Sequence, residues 1–187
     1  MTPDSPVTSD EAHMAALQQG EDLALNQLMQ RWEVPLRGFL YRRTQNETDA
    51  LDLAQETFVR VYQHRAKFRS GAKFSTWMFQ IALNLARDRA RRQRRRPTEP
   101  LENAPEPAHE LTPKHELAEA EKAAVVRAAI AALPEDLRDA VLLSEFEQKS
   151  HAEIGEIVGA SAKAVETRLY RAKERLRAAL ARFLKDG

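Results

Sequence analysis

Three features of this chain indicate an all-α fold, made of two helical domains joined by a flexible, acidic, proline-rich linker. Helical periodicity runs through most of the sequence, serines precede two of the apolar-periodic runs, and one proline-rich break interrupts the pattern. With 187 residues and 43% hydrophobic content, the chain can bury ordinary cores. We expect a disordered N-terminus at 1–9, a larger domain at 10–96, a linker at 97–116 and a second domain at 117–187.

The first strongly patterned segment is residues 49–62, DALDLAQETFVRVY. Like charges one helical turn apart cost stability, so a carboxylate stripe favours a protein-docking surface over a plain solvated face. A metal site is a weaker interpretation, because helical di-metal sites supply a Glu-x-x-His pair and no histidine is present here. The apolar face is predicted to consist of Leu51, Ala54, Phe58 and Val61. The acidic stripe with its apolar edge is predicted to consist of Asp49, Asp52, Glu56 and Val59.

A glycine-containing loop and a basic helix follow, over residues 68–96. The loop FRSGAKFSTW has aromatic residues on both sides of its glycine, and the helix carries Asn84, Arg87 and Arg91 on neighbouring turns. Such an arrangement suits single-stranded DNA, whose bases stack or enter pockets while arginines hold phosphates. Helical spacing is, however, more typical of core aromatics than of base-stacking ones. The aromatics in question are Phe74, Trp77 and Phe79.

Charge is strongly segregated although the formal net charge is only +1. Residues 87–96 hold seven Arg against one Asp, and residues 98–121 hold seven Glu against one Lys. The basic block indicates a nucleic-acid contact or, taken alone, a solvated helix end. The acidic block indicates a segment that avoids nucleic acid, or one that occupies a site where nucleic acid would otherwise bind. Five prolines among these glutamates predict a semi-extended linker.

The C-terminal region reads as four helices that end in a helix-turn-helix. Periodicity resumes over 117–132, and residues 133–135, Leu-Pro-Glu, predict a helix with proline in its first turn. Ser150 and Ser161 are predicted N-caps of the last two helices. Gly155 lies where the two helices must approach each other closely, and Gly159 lies where the turn requires a positive φ. Val165 lies where the second helix packs back on the first.

The last helix is predicted to read DNA. It buries a stripe at helical spacing and exposes groups that contact phosphates and base edges. The alternative is a short helical pair with a solvated basic face. The buried stripe is Val165, Leu169, Ala172 and Leu176. The exposed groups are Lys163, Glu166, Thr167, Arg168, Tyr170 and Arg171.

Several classes of function are disfavoured by composition. The absence of cysteine excludes disulfides, thiolate zinc sites and a thiol switch within this chain. No run approaches the roughly 18 apolar residues of a membrane span, and residues 1–10 are polar. We therefore expect a cytoplasmic protein without a signal peptide or membrane insertion, with no catalytic residue, no metal and no cofactor. A metal-dependent nuclease that uses Asp49, Asp52 and Glu56 is disfavoured, because neither a histidine nor a phosphate-cradling glycine loop accompanies these carboxylates.

Four segments in this order resemble bacterial extracytoplasmic-function (ECF, group IV) sigma factors of the sigma-70 family. They are DALDLAQETFVRVY, KFSTWMFQIALNLARDRARR, the acidic proline-rich linker, and LPEDLRDAVLLSEFEQKSHAEIGEIVGASAKAVETRLYRAKERLRAAL. The resemblance implies a sigma-2-like and a sigma-4-like domain. It also implies a transcription initiation factor that binds core RNA polymerase, through the β′ coiled coil and the β subunit, and directs it to promoter DNA. The rival is a dimeric DNA-binding regulator, which would not bind core polymerase.

The resemblance further implies roles for individual residues. The β′-docking residues are Asp49, Asp52, Gln55, Glu56 and Val59. The residues that open and read the −10 element are Phe68, Ser70, Gly71, Lys73, Asn84, Arg87, Asp88 and Arg91. The residues at the −35 element are Ser161, Lys163, Glu166, Thr167, Arg168, Tyr170 and Arg171.

Two expectations concern specificity and control. Glu166 stands where relatives often carry a basic residue, so either it reads a cytosine N4 amino group or that contact is lost. The chain holds no cysteine, cofactor motif or sensory domain, so we expect any signal to reach it through another protein. The family resemblance implies an anti-sigma factor that binds both domains and competes with core polymerase.

Overall fold

The computed structural model describes residues 9–95 and 114–181, and within those ranges the secondary structure is helical with no strand. The all-α prediction is confirmed. The expected disordered N-terminus and most of the expected linker lie outside the described residues. The α helices are α1 (Asp10–Gln18), α2 (Leu23–Thr44), α3 (Glu47–Gln63), α4 (Phe74–Arg95), α5 (Lys114–Ala131), α6 (Glu135–Val141), α7 (His151–Val158) and α8 (Ala162–Leu180).

The first four helices form a bundle around aromatic side chains. Phe39, Phe74 and Phe79 are fully buried, and Trp32 meets Phe79 edge-on with ring centroids 6.0 Å apart. Such edge-to-face pairs add to the stabilisation from apolar burial. The core interpretation is therefore confirmed for Phe74 and Phe79. Trp77 is half-buried against the same core.

The buried face of α3 is rotated from the sequence prediction. Ala54, Phe58 and Val61 are buried as expected, but Leu51 is 40% exposed. Ala50 is buried in its place, one helical turn before Ala54. Leu51 lies about 100° around the helix from Ala50, which turns its side chain toward solvent. The prediction for Leu51 was wrong. The larger apolar side chain was expected in the core, whereas the structure buries the smaller Ala50.

The last four helices form the second bundle, as expected. Helix α5 begins at Lys114, three residues before the predicted start. Pro134 is the N-cap of α6, one position earlier than predicted, with φ −50° and ψ 145°. A π-helical turn, Leu142–Phe146, extends α6 toward α7. Such π segments are frequently found where a helix serves a function.

The two bundles pack against each other. Helix α4 contacts α7, and α2 contacts both α5 and the π turn. Buried apolar residues of both bundles belong to one hydrophobic cluster. Among the described helices, none is both long enough and apolar enough to cross a membrane.

Candidate nucleic-acid and protein interfaces

The turn between α7 and α8 has the geometry that the two serines predict. Ser150 forms a capping box with Glu153, in which the hydroxyl accepts from the Glu153 amide and the carboxylate accepts from the Ser150 amide at 2.8 Å. Ser161 caps α8 by accepting from the Ala164 amide at 3.2 Å. Gly159 ends α7 with φ 72°, a left-handed conformation that favours glycine. Both caps and the turn glycine confirm the predicted helix-turn-helix.

Gly155 allows the close approach of α7 to the start of α8. A Cβ atom built on Gly155 would lie 2.6 Å from the carbonyl oxygen of Ala160, which is backbone and cannot swing aside. The Ala160 amide donates to the Gly155 carbonyl at 2.9 Å, so the two segments are in direct contact. Val165 is fully buried beneath them. The predicted roles of Gly155 and Val165 are confirmed.

The outer face of α8 is exposed. Tyr170 is 68% exposed, and Ser161, Thr167 and Arg171 also face solvent. Arg168 departs from the prediction, since it is half-buried, with Nε 3.7 Å from the Asp136 carboxylate. Its position one residue from Leu169 turns it toward α6 and the bundle.

Lys163 and Glu166 form an ion pair on this face. Lys163 Nζ donates to Glu166 Oε2 at 2.8 Å, and this hydrogen bond lowers the pKa of the Glu166 carboxyl. Both side chains remain exposed. A cytosine amino group would have to compete with Lys163 for the Glu166 carboxylate.

The acidic face of α3 is exposed at three of its positions. Asp52 is 52% exposed and Val59 46%, and Gln55 between them faces solvent. Glu56 is half-buried and accepts from Arg60 Nε, one turn later, at 2.7 Å. Apolar and acidic groups thus stand side by side on this exposed face of α3.

Asp49 is drawn away from that face toward α4. Its carboxylate accepts from Arg89 Nη2 and, at 3.1 Å, from Gln93. Arg89 also lies 3.4 Å from Asp52. The charge of this stripe is therefore partly neutralised within the chain. Within the described ranges, no three His, Asp or Glu side chains come together as a metal site.

The loop before α4, residues 68–73, is held in place by contacts at Phe68. Phe68 is only 7% exposed, packing on Trp77 with ring centroids 5.3 Å apart. Gln18 Nε2 donates to the Phe68 carbonyl at 2.9 Å. In this conformation the Phe68 ring is a core anchor and is not available to stack on a base. Gly71, with φ 83°, and Ser70 are exposed at the tip.

The outer face of α4 carries the other predicted DNA contacts. Asn84 is exposed, and Asp88 pairs with Arg91 at 2.9 Å on the same surface. Arg87 differs because its Nη2 donates to Asp139 of α6 at 3.0 Å. Lys73, just before α4, donates to Glu153 of α7 at 2.9 Å. Two of the predicted DNA-binding side chains are thus paired with carboxylates of the other bundle.

Asp139 is the centre of an ion cluster that sequence reasoning missed. It is fully buried between Arg87 and Arg43, whose Nε lies 2.9 Å from Oδ1 without the geometry of a hydrogen bond. Burial raises the pKa of Asp139, and the two arginines oppose that rise. A signal was present, because Asp139 lies at a core position of the apolar run LRDAVLL. A buried carboxylate requires a partner, but the sequence does not say which.

Lys149 is a second missed contact between the bundles. Its Nζ donates to Ser75 Oγ at 2.5 Å and lies 5.5 Å from the centre of the Phe79 ring. Burial lowers the pKa of Lys149. The ammonium group therefore meets the aromatic core of the first bundle from a loop of the second.

An apolar groove of about 520 Å³ opens where α2, α5 and the π turn meet. Tyr41, Val126 and Phe146 are its exposed apolar residues, and each is at least a third exposed. Arg42 lies at its rim, with its guanidinium 4.4 Å from the centre of the Phe146 ring. The groove is lined by both bundles.

Comparison with known proteins gives the family. Residues 28–96 match Sigma-70 region 2, and residues 123–176 match Sigma-70, region 4. The ECF RNA polymerase sigma-E factor of Haemophilus influenzae is 34% identical over 175 residues, which cover 89% of this chain and 92% of that protein. The chain belongs to the ECF sigma factors. It is therefore a promoter-specific transcription initiation factor.

Another relative and two solved structures are similar to most of this chain. The RNA polymerase sigma-H factor of Pseudomonas aeruginosa is 31% identical over 95% of this chain and 97% of its own. The structure of CnrH in complex with the cytosolic domain of CnrY matches with a TM-score of 0.71 and 27% identity, over 93% of this chain and 98% of CnrH. The sigma factor RpoE of Bartonella quintana, solved with the anti-sigma factor NepR, shares the fold, with a TM-score of 0.62 and 23% identity over 83% of this chain and 97% of its own.

Proposed function

We propose that this sigma factor divides promoter recognition between its two bundles. The N-terminal bundle docks on core RNA polymerase through α3 and opens and reads the −10 element through the 68–73 loop and α4. The C-terminal bundle reads the −35 element through α8. The observation that carries the proposal is the pairing of two exposed surfaces in one chain, a helix-turn-helix face on α8 and an acidic-apolar face on α3.

The α3 face supports the docking role through its chemistry. Exposed carboxylates can form bidentate pairs with arginines of a partner, and Val59 supplies an apolar contact beside them. The Arg89 contacts hold Asp49 and Asp52 in place from the side of α4. We propose Asp52, Gln55, Glu56 and Val59 as the contact residues, with Asp49 at the edge.

The α4 surface supports the −10 role through exposed polar groups. Asn84 can hydrogen-bond a displaced base, while Arg91 can hold a phosphate from the neighbouring turns. Opening each base step costs a few kcal/mol of stacking energy. Since this chain binds and positions DNA and performs no bond chemistry in this scheme, we propose a non-enzymatic role in the cytoplasm.

Transcription with purified core polymerase tests the proposal. Core alone should start poorly at a promoter of this sigma factor, and addition of the chain should give a defined start with stoichiometric binding to core. The promoter comes from mapping transcription starts after overexpression in the native host. A chain that binds promoter duplex as a dimer and leaves core polymerase free would overturn the proposal in favour of a free-standing regulator.

We also propose an anti-sigma partner that binds both bundles. The groove between α2, α5 and the π turn supports this, because its apolar residues are exposed and come from both bundles. The match to CnrH, solved with the cytosolic domain of CnrY, supports it further. An amphipathic helix with an apolar stripe and an acidic flank would match the apolar walls and Arg42 at the rim.

A further inference from the structure

Helix α1 contacts both ends of the loop before α4 through two polar side chains. At the start of the loop, Gln18 Nε2 donates to the carbonyl oxygens of Arg65 at 2.8 Å and Phe68 at 2.9 Å. At the end of the loop, Glu11 Oε1 accepts from the Phe74 amide at 3.0 Å. Glu11 and Gln18 lie about two turns apart on one face of α1.

We propose that Glu11 and Gln18 are positioning residues for promoter reading. From one face of α1 they hold both ends of the loop before α4 by its backbone, and thereby fix the conformation in which the loop captures a base of the −10 element. The inference rests on the proposed −10 role of this loop. It assigns a function to α1, the presentation of the loop to DNA.

The tip of the loop is a turn between the two anchored ends. The Ala72 amide donates to the Arg69 carbonyl at 3.1 Å, and Gly71 has φ 83°. Arg69, Ser70 and Gly71 are exposed. Without fixed ends, such a tip would sample many conformations, and ordering them would count against the binding of DNA. Anchors that act in the free chain remove part of that cost before DNA arrives.

Both anchors act on main-chain groups. The Phe74 amide is among the first four of α4, which have no acceptor inside the helix, and a carboxylate is favoured at that positive end. The same hydrogen bond lowers the pKa of the Glu11 carboxyl. The side-chain amide of Gln18 has two hydrogens, which match the two carbonyl oxygens that it contacts. Substitution of either anchor therefore removes no side chain of the loop.

Helix α1 is itself fixed to the first bundle, so it can hold the loop in place. Met14 and Leu17 are fully buried on its inner face. Asp10 accepts from the indole Nε1 of Trp32 at 2.9 Å. The two anchoring residues, by contrast, are exposed, so their substitution removes no core contact. An effect on the loop can therefore be separated from an effect on folding.

Removal of both anchors tests the inference in the full chain. The variant Glu11→Met/Gln18→Met loses the acceptor and the donor at similar side-chain length. The matched control, Gln19→Met/Glu33→Met, makes the same chemical change at exposed positions. Glu11→Gln is the conservative variant, because its amide oxygen can still accept from the Phe74 amide. Should the double variant fail to fold by circular dichroism, its two single substitutions carry the same comparison.

Amide hydrogen exchange reports the conformation of the loop in the free chain. The Phe74 amide and the loop amides should exchange about threefold to tenfold faster in the double variant than in the control, because one hydrogen bond is lost at each end. Glu11→Gln should exchange like wild type. Equal exchange in the double variant and the control would overturn the inference.

The functional probe is single-stranded −10 DNA of a mapped promoter, bound by the holoenzyme, with each base removed in turn. The double variant should bind the intact strand about threefold to tenfold more weakly than the control, and the strand that lacks the captured base equally well. Equal affinity for the intact strand, or a defect of the same size on both strands, would overturn the positioning role. A wild-type holoenzyme indifferent to every removed base would instead overturn the −10 role of the loop, and the inference with it.

Discussion

Gly155 shows how one missing side chain sets the geometry of the helix-turn-helix. A methyl group there would meet the Ala160 carbonyl at 2.6 Å, so Gly155→Ala must push the turn outward. Overpacking of this kind typically costs about 1–3 kcal/mol. We expect a lower unfolding temperature and weaker binding to −35 duplex DNA, measured by circular dichroism and fluorescence anisotropy.

Gly38→Ala is the matched control for that substitution. Its Cβ would meet only the flexible end of Arg42, 3.2 Å away, in the interior of α2. Alanine is favoured over glycine in helices by about 0.5–1 kcal/mol, so this variant should be neutral or slightly stabilised. Equal destabilisation by both substitutions would mean that the close approach at Gly155 is not what limits the turn.

Glu153 gives a prediction on acid stability. Hydrogen bonds from Lys73 and then Ser150 lower the pKa of its carboxyl from 4.5 to about 2. The folded state therefore holds fewer protons on Glu153 than the unfolded state, and its contribution to stability is complete above pH 4.5 and lost as the pH falls toward 2. Glu153→Gln lacks this contribution at every pH.

Urea unfolding from about pH 6 to about pH 3 measures this contribution. The difference in the free energy of unfolding between wild type and Glu153→Gln should be largest at the upper end and shrink as the pH falls. The opposite shift of Asp139, whose pKa is raised by burial, is common to both proteins and cancels. A difference that stays constant with pH would show that Glu153 is not selectively stabilised as the carboxylate.

Helices α4 and α8 are assigned different tasks, and single substitutions separate them. Arg171→Ala should weaken binding to −35 duplex by about 1–3 kcal/mol, as loss of one base or phosphate contact does, and leave a template already melted at −10 unaffected. Asn84→Ala should impair opening of duplex promoters and leave −35 binding intact. Permanganate footprinting on premelted and duplex promoters measures both. Identical defects would contradict the division between the helices.

Helix α3 is predicted to dock on polymerase through Asp52 and Glu56. Reversal of both to Lys places like charges against partner arginines and should remove about 2–5 kcal/mol of binding energy. The fold should survive, because the pairs of Asp52 with Arg89 and of Glu56 with Arg60 lie at the surface, where ion pairs contribute little to stability. Pull-down with core polymerase, with circular dichroism for folding, gives the result.

The matched control for α3 is reversal of Glu21 and Glu33, which lie on the surface outside the α3 face. This variant carries the same change in net charge and should bind core like wild type. Tight binding by the folded Asp52→Lys/Glu56→Lys variant would place the docking face elsewhere.

The elements differ in how much their sequence reveals. The α7–α8 turn was predictable because caps, a left-handed glycine and a close approach all depend on residues near one another in the chain. Contacts between the bundles were not predictable from the sequence. Arg87 and Asp139 are 52 residues apart, and helical periodicity does not indicate which residue a charged side chain will pair with. The candidate sites were predicted as faces of single helices. Their neutralisation by Arg89, Asp139 and Glu153 emerged only from the packing.

At the level of the molecule, the basic residues of α4 contribute to the contact between the two bundles. Arg87 and Arg94 of α4 face carboxylates of α6, and Lys73 before α4 faces a carboxylate of α7, so opposite charges hold the two bundles together across their interface. The pairs of Lys73 and Arg94, whose side chains are exposed, are individually weak and are easily replaced by another charged surface. Polymerase, promoter DNA and a partner protein can therefore each shift the balance between closed and open arrangements of this sigma factor.

A competing partner is the prediction that concerns the entire chain. If an anti-sigma factor fills the groove between α2, α5 and the π turn, it depends on that groove, whereas core polymerase depends on α3. Val126→Glu places a charge in the groove at an exposed position and should weaken the partner's binding at least tenfold, equivalent to about 1.4 kcal/mol, without changing core binding. The exposed substitution Ala152→Glu, outside the groove, is the control.

The measurement is competition among purified components. The tagged chain is isolated from its native host under several growth conditions, the co-purified protein is identified and expressed, and its binding is titrated against core polymerase. The partner should displace core from wild type and fail to displace it from the Val126→Glu variant. A protein that binds alongside core, or the absence of any partner across those conditions, would leave expression level as the means by which this sigma factor is restrained.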